Sequence, residues 1–206
     1  MSAGEARRVI VASTNHGKLA EIRSALDLDG WEFVTATDLG RETLDVEETG
    51  ATFAENALLK ARAYAEAFGL AALADDSGLE VDALAGAPGV RSARYSGEGA
   101  TDARNNKKLL DALTGLPEAA RSARFRSAVA LVEPDGAVTA AEGTCEGRIG
   151  LRPAGTGGFG YDPLFLPAAA PGRTMAELSL AEKNAISHRG EALRALRQAL
   201  TAAGRG

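Results

Sequence analysis

Two adjacent carboxylates, Asp75 and Asp76, follow directly on the apolar run Leu70-Ala71-Ala72-Leu73. No other feature constrains the fold as strongly. The run reads as a buried strand. Charge at the mouth of such a strand is costly unless a cation lies beside it. Successive side chains of an extended segment point to opposite faces. Asp75 and Asp76 are therefore expected to meet two different surroundings, so that one holds a metal and the other holds the loop. Ser77 and Gly78 add a hydroxyl and a turn, which places the pair at a strand-to-loop junction. An ordinary solvated turn uses the same residue types, so the rest of the chain has to decide between the two.

The chain has 206 residues, long enough for one sizeable core. Hydrophobic residues make up 45% and charged residues 25%, the balance of a soluble globular protein. A net charge of −5 argues against a broad basic face, so no nucleic acid partner is expected. An acidic chain still binds a polyanion where it concentrates cations locally or uses a divalent metal. Cys145 is the one cysteine, which excludes an intrachain disulfide and a cysteine metal cluster. A reducing, cytoplasmic setting follows. No apolar run approaches the length of a membrane helix, so no membrane partner is expected. Residues 1–8 read as a flexible N-terminal tail, residues 9–200 as one domain and residues 201–206 as a frayed end.

Arg8-Val9-Ile10-Val11-Ala12 is a compact apolar run and reads as a strand. Ser13-Thr14-Asn15-His16-Gly17-Lys18 follows, and Leu19, Ile22 and Leu26 then repeat at helical spacing. Strand, polar loop and helix in this order offer free N–H groups and a positive dipole end, a seat for phosphate. Lys18 at the helix start opposes the dipole, which points to an anion nearby. A plain helix cap with a surface lysine uses the same residues, and the glycine spacing is not that of a P-loop. Thr52-Phe53-Ala54-Glu55 is a capping-box pattern opening a helix that Gly69 closes. Glu47 and Glu48 lie ahead of it in an acidic stretch, and Lys60 lies within it. Pro134-Asp135-Gly136 between two apolar runs is a hairpin signature, so part of the sheet is antiparallel.

Gly155-Thr156-Gly157-Gly158-Phe159-Gly160-Tyr161-Asp162-Pro163 is the second unusual stretch. Four glycines point to positive φ or to close approach of a ligand, and the aromatics can stack on a ring. A wide loop is the plainer reading. Ser179-Leu180-Ala181-Glu182 opens a short helix carrying Lys183, and Ser187-His188-Arg189 interrupts before a last helix. His188 beside Arg189 at a helix entry forms a donor pair.

These pieces in this order resemble the inosine triphosphate pyrophosphatases, the Ham1-like non-canonical purine NTP pyrophosphatases. The carrying motifs are Ser13-Thr14-Asn15-His16-Gly17-Lys18; Glu48-Thr49-Gly50 with Phe53, Glu55, Asn56 and Lys60; Ala74-Asp75-Asp76-Ser77-Gly78-Leu79; Gly86-Ala87-Pro88-Gly89 with Ser92-Ala93-Arg94-Tyr95; Gly158-Phe159-Gly160-Tyr161-Asp162-Pro163; and Glu182-Lys183-Asn184 with Ser187-His188-Arg189. The resemblance implies an ITPase-like/Maf-like α/β fold, with a central mixed β-sheet flanked by helices and two lobes with an active-site cleft between them. It implies a homodimer and Mg²⁺-dependent cleavage of ITP, dITP or XTP to the monophosphate and pyrophosphate.

Under that resemblance Asp76, or Asp75 beside it, orients or deprotonates the attacking water, with Asp76 favoured as the base, and Glu48 with Asp76 holds Mg²⁺ through hard oxygens. Lys18 and the amides of Ser13, Thr14, Asn15, His16 and Gly17 grip the phosphates. Lys60 neutralises the phosphate nearest the cut, and Ser77 contacts substrate. Phe159 stacks on the purine, Gly160 and Tyr161 beside it bind substrate, and Asp162 and Lys183 fix the loop and the sugar-phosphate end. His188 and Arg189 donate to the 6-oxygen that hypoxanthine and xanthine carry and adenine lacks. Two rivals remain: a nucleotide sensor without catalysis, and a phosphomonoesterase, although the Asp-x-Asp spacing usual for the latter is absent.

Overall fold

The computed structural model describes residues 6–26 and 28–205. Six strands form one mixed sheet in the order β2-β1-β3-β4-β5-β6. They are β1 (Arg7–Val11), β2 (Trp31–Val34), β3 (Ala71–Val81), β4 (Ser122–Val132), β5 (Val138–Ile149) and β6 (Phe165–Pro167). Among the described residues, five α-helices accompany them: α1 (His16–Ala25), α2 (Phe53–Phe68), α3 (Asp102–Ala112), α4 (Leu180–Ile186) and α5 (His188–Ala202). Together they make an α/β fold. β1 pairs in parallel with both β2 and β3, matching Val9 to Ala71 and Val11 to Leu73. β5 and β6 are antiparallel. The short turn at residues 133–137 makes β4 and β5 antiparallel as well, because a parallel pair needs a long crossover.

The chain divides into two compact units, each with its own core. The first takes Met1–Asp76, Ser127–Gly143 and Arg189–Gly206. Its core joins Val9 and Val11 of β1, Leu19 and Ile22 of α1, Leu73 of β3, Val129 and Leu131 of β4, and Leu193 and Leu196 of α5. The second takes Ser77–Arg126 and Thr144–His188. It gathers Leu79, Val81, Leu109, Leu113, Phe125, Ile149, Tyr161, Leu164 and Phe165. No helix of the described residues is long and apolar enough to cross a membrane.

Three expectations change. β3 does not end at the aspartate pair. It runs through Asp75, Asp76, Ser77 and Gly78 as far as Val81. The turn preference of Ser-Gly is overridden because Leu79 and Val81 are fully buried and because the Leu79 N–H donates to Ser92 Oγ at 2.9 Å. At the N-terminus, β1 takes in Arg7 and Arg8, which pair with Trp31 and Glu32. Of the rest of the expected tail, residues 1–5 lie outside the described residues, as does Gly206. The expected frayed end is partly helical: α5 reaches Ala202, and the Arg205 N–H donates to Leu200 O at 2.9 Å.

Helix α2 follows its sequence signals closely. Thr52 Oγ1 accepts from the Glu55 N–H and the Glu55 carboxylate accepts from the Thr52 N–H, a full capping box. Such a cap is worth about 1 kcal/mol. Gly69 ends the helix at φ +64, a left-handed conformation that a side chain would strain. The buried face is Phe53, Asn56, Ala57, Ala61, Tyr64 and Ala65. Asn56 is the polar member of that face and is fully buried.

Candidate active site

Alternation along β3 gives the two aspartates different neighbours. The Asp75 side chain is 0% exposed. Its Oδ1 accepts from Ser127 Oγ of β4 at 2.6 Å, and its Oδ2 lies 2.7 Å from Lys18 Nζ and 3.1 Å from Arg189 Nη2. Arg189 at the start of α5 is 1% exposed and also binds the buried Glu21 of α1. Burial acts to raise the Asp75 pKa. The charges of Arg189 and Lys18 and their hydrogen bonds outweigh it and hold the carboxyl well below the usual range. Lys18 shifts down, because burial and the neighbouring Arg189 and Lys60 charges outweigh the attraction of Asp75.

Asp76, on the other face, is less committed. Its Oδ2 accepts from Asn56 Nδ2 at 3.1 Å, and its Oδ1 lies 3.6 Å from Lys60 Nζ. Burial dominates and raises its pKa, as does the Glu48 charge, against the opposing pull of Lys60, Lys18 and the Asn56 hydrogen bond. Lys60 Nζ also reaches Glu48 Oε1 at 2.8 Å and donates to the Asp75 carbonyl at 2.9 Å. Burial acts to lower the Lys60 pKa, but Asp76 and Glu48 outweigh it and raise it, so the ammonium stays charged. Two carboxylates from different segments thus converge on one ammonium. Asn56 joins those segments: its Oδ1 accepts from the Gly50 N–H at 2.8 Å while its amide nitrogen holds Asp76.

The loop ahead of α1 is tighter than expected. Asn15 caps the helix, its Oδ1 accepting from the Lys18 N–H at 3.0 Å. The Ser13 N–H donates to Val11 O, and the Asn15 N–H donates to Ser13 Oγ at 3.2 Å. The Ser13 and Asn15 amides are therefore already used inside the loop and do not match the expected phosphate grip. Among the described residues, the amides of Thr14, His16 and Gly17 are the ones there with no protein acceptor. His16 itself is exposed.

In the second unit, the glycine-aromatic loop is pinned on several sides. The Phe159 N–H donates to Asp162 Oδ2 at 2.9 Å, and Lys183 Nζ reaches the same oxygen at 2.5 Å. Lys183 Nζ also lies 4.6 Å from the Phe159 ring centroid, in cation–π range. Tyr161 is buried, and its hydroxyl donates to Ser92 O at 2.8 Å. Gly158, at φ +71, has no room for a side chain, because a Cβ would sit 2.1 Å from Asp162 Oδ2. Gly160 has φ +60. His188 is buried and stacks on Phe125 at 4.7 Å and 13°. Ser77 is half-buried in β3.

The structure thus groups Lys18, Lys60, Glu48, Asp75, Asp76 and Arg189 in the first unit and Phe159, Gly160, Tyr161, Asp162, Lys183 and His188 in the second. It departs from expectation at Arg189, whose guanidinium fork is committed to Glu21 and Asp75 rather than standing open as a donor for a base. Sequence reasoning gave no role to Glu21, Asn56 or Ser127. Asn56 left a signal, a polar residue on the apolar face of a helix, whereas Glu21 lies off the Leu19, Ile22 and Leu26 stripe of α1 and left none. Ser127 left none either.

The chain belongs to the Ham1 family, whose model matches residues 9–199. It is 49% identical to a dITP/XTP pyrophosphatase of Anaeromyxobacter, over 93% of this chain and 96% of the relative. A HAM1 protein from Coxiella burnetii superposes with a TM-score of 0.83 at 47% identity, covering 95% of this chain and 98% of that one. A nucleoside-triphosphatase / dITP/XTP pyrophosphatase from Mycobacterium abscessus does so with a TM-score of 0.72 at 50% identity, covering 92% and 98%.

Proposed function

We propose that this chain hydrolyses the non-canonical purine nucleoside triphosphates ITP, dITP and XTP to the monophosphate and pyrophosphate, clearing deaminated purines from the nucleotide pool. The observation that carries the reading is the division of labour between the two aspartates on one strand. Asp75 is saturated by Ser127, Lys18 and Arg189, and Asp76 keeps the raised pKa of a carboxylate available for proton transfer.

The cluster supports a metal. Lys18, Lys60 and Arg189 stand against Glu21, Glu48, Asp75 and Asp76, which leaves one negative charge. A triphosphate adds about four more, so the protein's own cations do not neutralise it. Among the described residues no three His, Cys, Asp or Glu side chains converge as a metal set. Mg²⁺ does not require one, since it is commonly bound through one or two carboxylates together with substrate phosphates and water. Glu48 and Asp76 fit that donor set. Bound there, Mg²⁺ supplies charge neutralisation for the phosphates and the leaving pyrophosphate.

The chain's own residues do the rest. Asp76 orients the water that attacks the α-phosphorus and takes its proton, held in place by Asn56. Lys18 and Lys60 and the amides of Thr14, His16 and Gly17 hold the phosphates. Asp75 fixes Lys18 and Arg189. Phe159 stacks on the purine with Lys183 and Asp162 bracing it, and His188 donates to the 6-oxygen, a contact the adenine amino group cannot make. The same reading carries a homodimer in the cytoplasm.

The test is a panel of ITP, XTP, dITP, ATP and GTP with Mg²⁺, measuring pyrophosphate and orthophosphate separately. Pyrophosphate from the hypoxanthine and xanthine nucleotides is expected. Orthophosphate release, or no turnover of ITP, would overturn the reading.

A further inference from the structure

Two side chains of helix α3 hydrogen-bond the backbone of one residue in the loop that carries Phe159. The Gly160 N–H donates to Asp102 Oδ2 at 2.7 Å, and the Gly160 carbonyl accepts from Asn106 Nδ2 at 2.9 Å. Asp102 and Asn106 stand four residues apart on α3, so their side chains lie one above the other on one face. One acceptor and one donor at that spacing match the two polar atoms of one residue's backbone. The residue gripped is a glycine at φ +60, immediately after the aromatic ring.

The amide of Asn106 is oriented by this contact. Its nitrogen faces the Gly160 carbonyl, while its oxygen is buried without a hydrogen-bond partner. A buried acceptor left unmatched is unfavourable, so the donor to Gly160 is kept against a cost. A flipped amide would set two oxygens against each other. Helix α3 is itself well anchored. Thr101 caps it, and Asn105 binds Ser96 N at 2.7 Å and Ala93 O at 3.0 Å. The grip therefore ties the loop to a fixed element rather than to another loop.

We propose that Asp102 and Asn106 are positioning residues for base selection: together they clamp the backbone N–H and C=O of Gly160 and so hold the Phe159 ring in the attitude on which the purine stacks. The clamp rests on the reading that Phe159 receives the base, and it acts beyond it, since neither residue belongs to the acidic cluster or to the loop. A ring free to tilt stacks on any base, but less tightly, and presents the purine edge less consistently to its donors.

The experiment is a double-mutant cycle on ITP hydrolysis with Phe159→Ala, Asp102→Ala and Asn106→Leu. Each α3 change is expected to raise KM for ITP by about two- to tenfold, the range carried by one hydrogen bond, with kcat changed by less than about twofold. Neither is expected to add to the Phe159→Ala effect. Asp102→Asn, which keeps an acceptor, is expected to recover most of the KM lost in Asp102→Ala. A merely structural role would instead lower kcat and thermal stability together and add to Phe159→Ala, and that result overturns the proposal. An unchanged KM in the α3 variants, with a raised KM in Phe159→Ala, removes the clamp and leaves the stacking. An unchanged KM in Phe159→Ala removes both.

Discussion

Arg189 of α5 and Asp75 of β3 stand 114 residues apart in the chain and meet as a buried ion pair at 3.1 Å. Neither side chain is more than 1% exposed. The pair joins the last helix to the strand that carries the acidic site, and Glu21 of α1 binds the same guanidinium. One arginine therefore organises two helices and a strand around Asp75.

Removing Arg189 leaves Asp75 and Glu21 buried without their shared cation. Arg189→Met is expected to destabilise the protein by about 3–5 kcal/mol, the cost of breaking a buried pair from one side. Denaturant unfolding measures this. A loss below about 1 kcal/mol would show that the pair behaves like an exposed one.

Asp75 also sets an acid limit. Its folded pKa lies below the unfolded value of about 3.9, so its contribution is whole above that pH and is lost as pH falls toward the folded value. Unfolding free energies measured from pH 6 to pH 2 are expected to fall more steeply for the native chain than for Asp75→Asn. Parallel curves would deny Asp75 its depressed pKa.

Asp76→Asn keeps the shape of the side chain and removes the proposed base. Pyrophosphate release from ITP with Mg²⁺ is expected to drop by about 10²–10⁴-fold. Thermal stability should hold, because the partners of Asp76 include a neutral amide. Retained turnover would move the base elsewhere.

Asn56→Ala strips a hydrogen bond from Asp76 and from the Gly50 N–H at once. A kcat lower by about tenfold and a higher Mg²⁺ concentration for half-maximal activity are expected, in line with two buried groups left unmatched. Gly50→Ala is expected to act in the same direction, because its Cβ would stand 2.6 Å from Asn56 Oδ1. An unchanged Mg²⁺ requirement in both variants would separate Asn56 from the proposed metal site.

Much of the fold is legible along the chain. The capping box of Thr52 and Glu55, the glycine stop at Gly69 and the hairpin around Asp135 and Gly136 depend on neighbours only a few residues away. So does the alternation that separates Asp75 from Asp76. Local rules misplace the end of β3, because Ser77 and Gly78 suit a turn while the burial of Leu79 and Val81 extends the strand.

What the sequence determined by itself was the set of elements and the residue types able to do the chemistry, since propensity, capping and periodicity act over a few residues. Only the tertiary structure decided which charge meets which. Lys18, Ser127 and Arg189 lie far apart in the chain, and nothing local indicates that all three converge on Asp75 while Asp76 meets Asn56 and Lys60. Burial made that assignment, because charges removed from water are stable only beside partners that the folded chain brings to them.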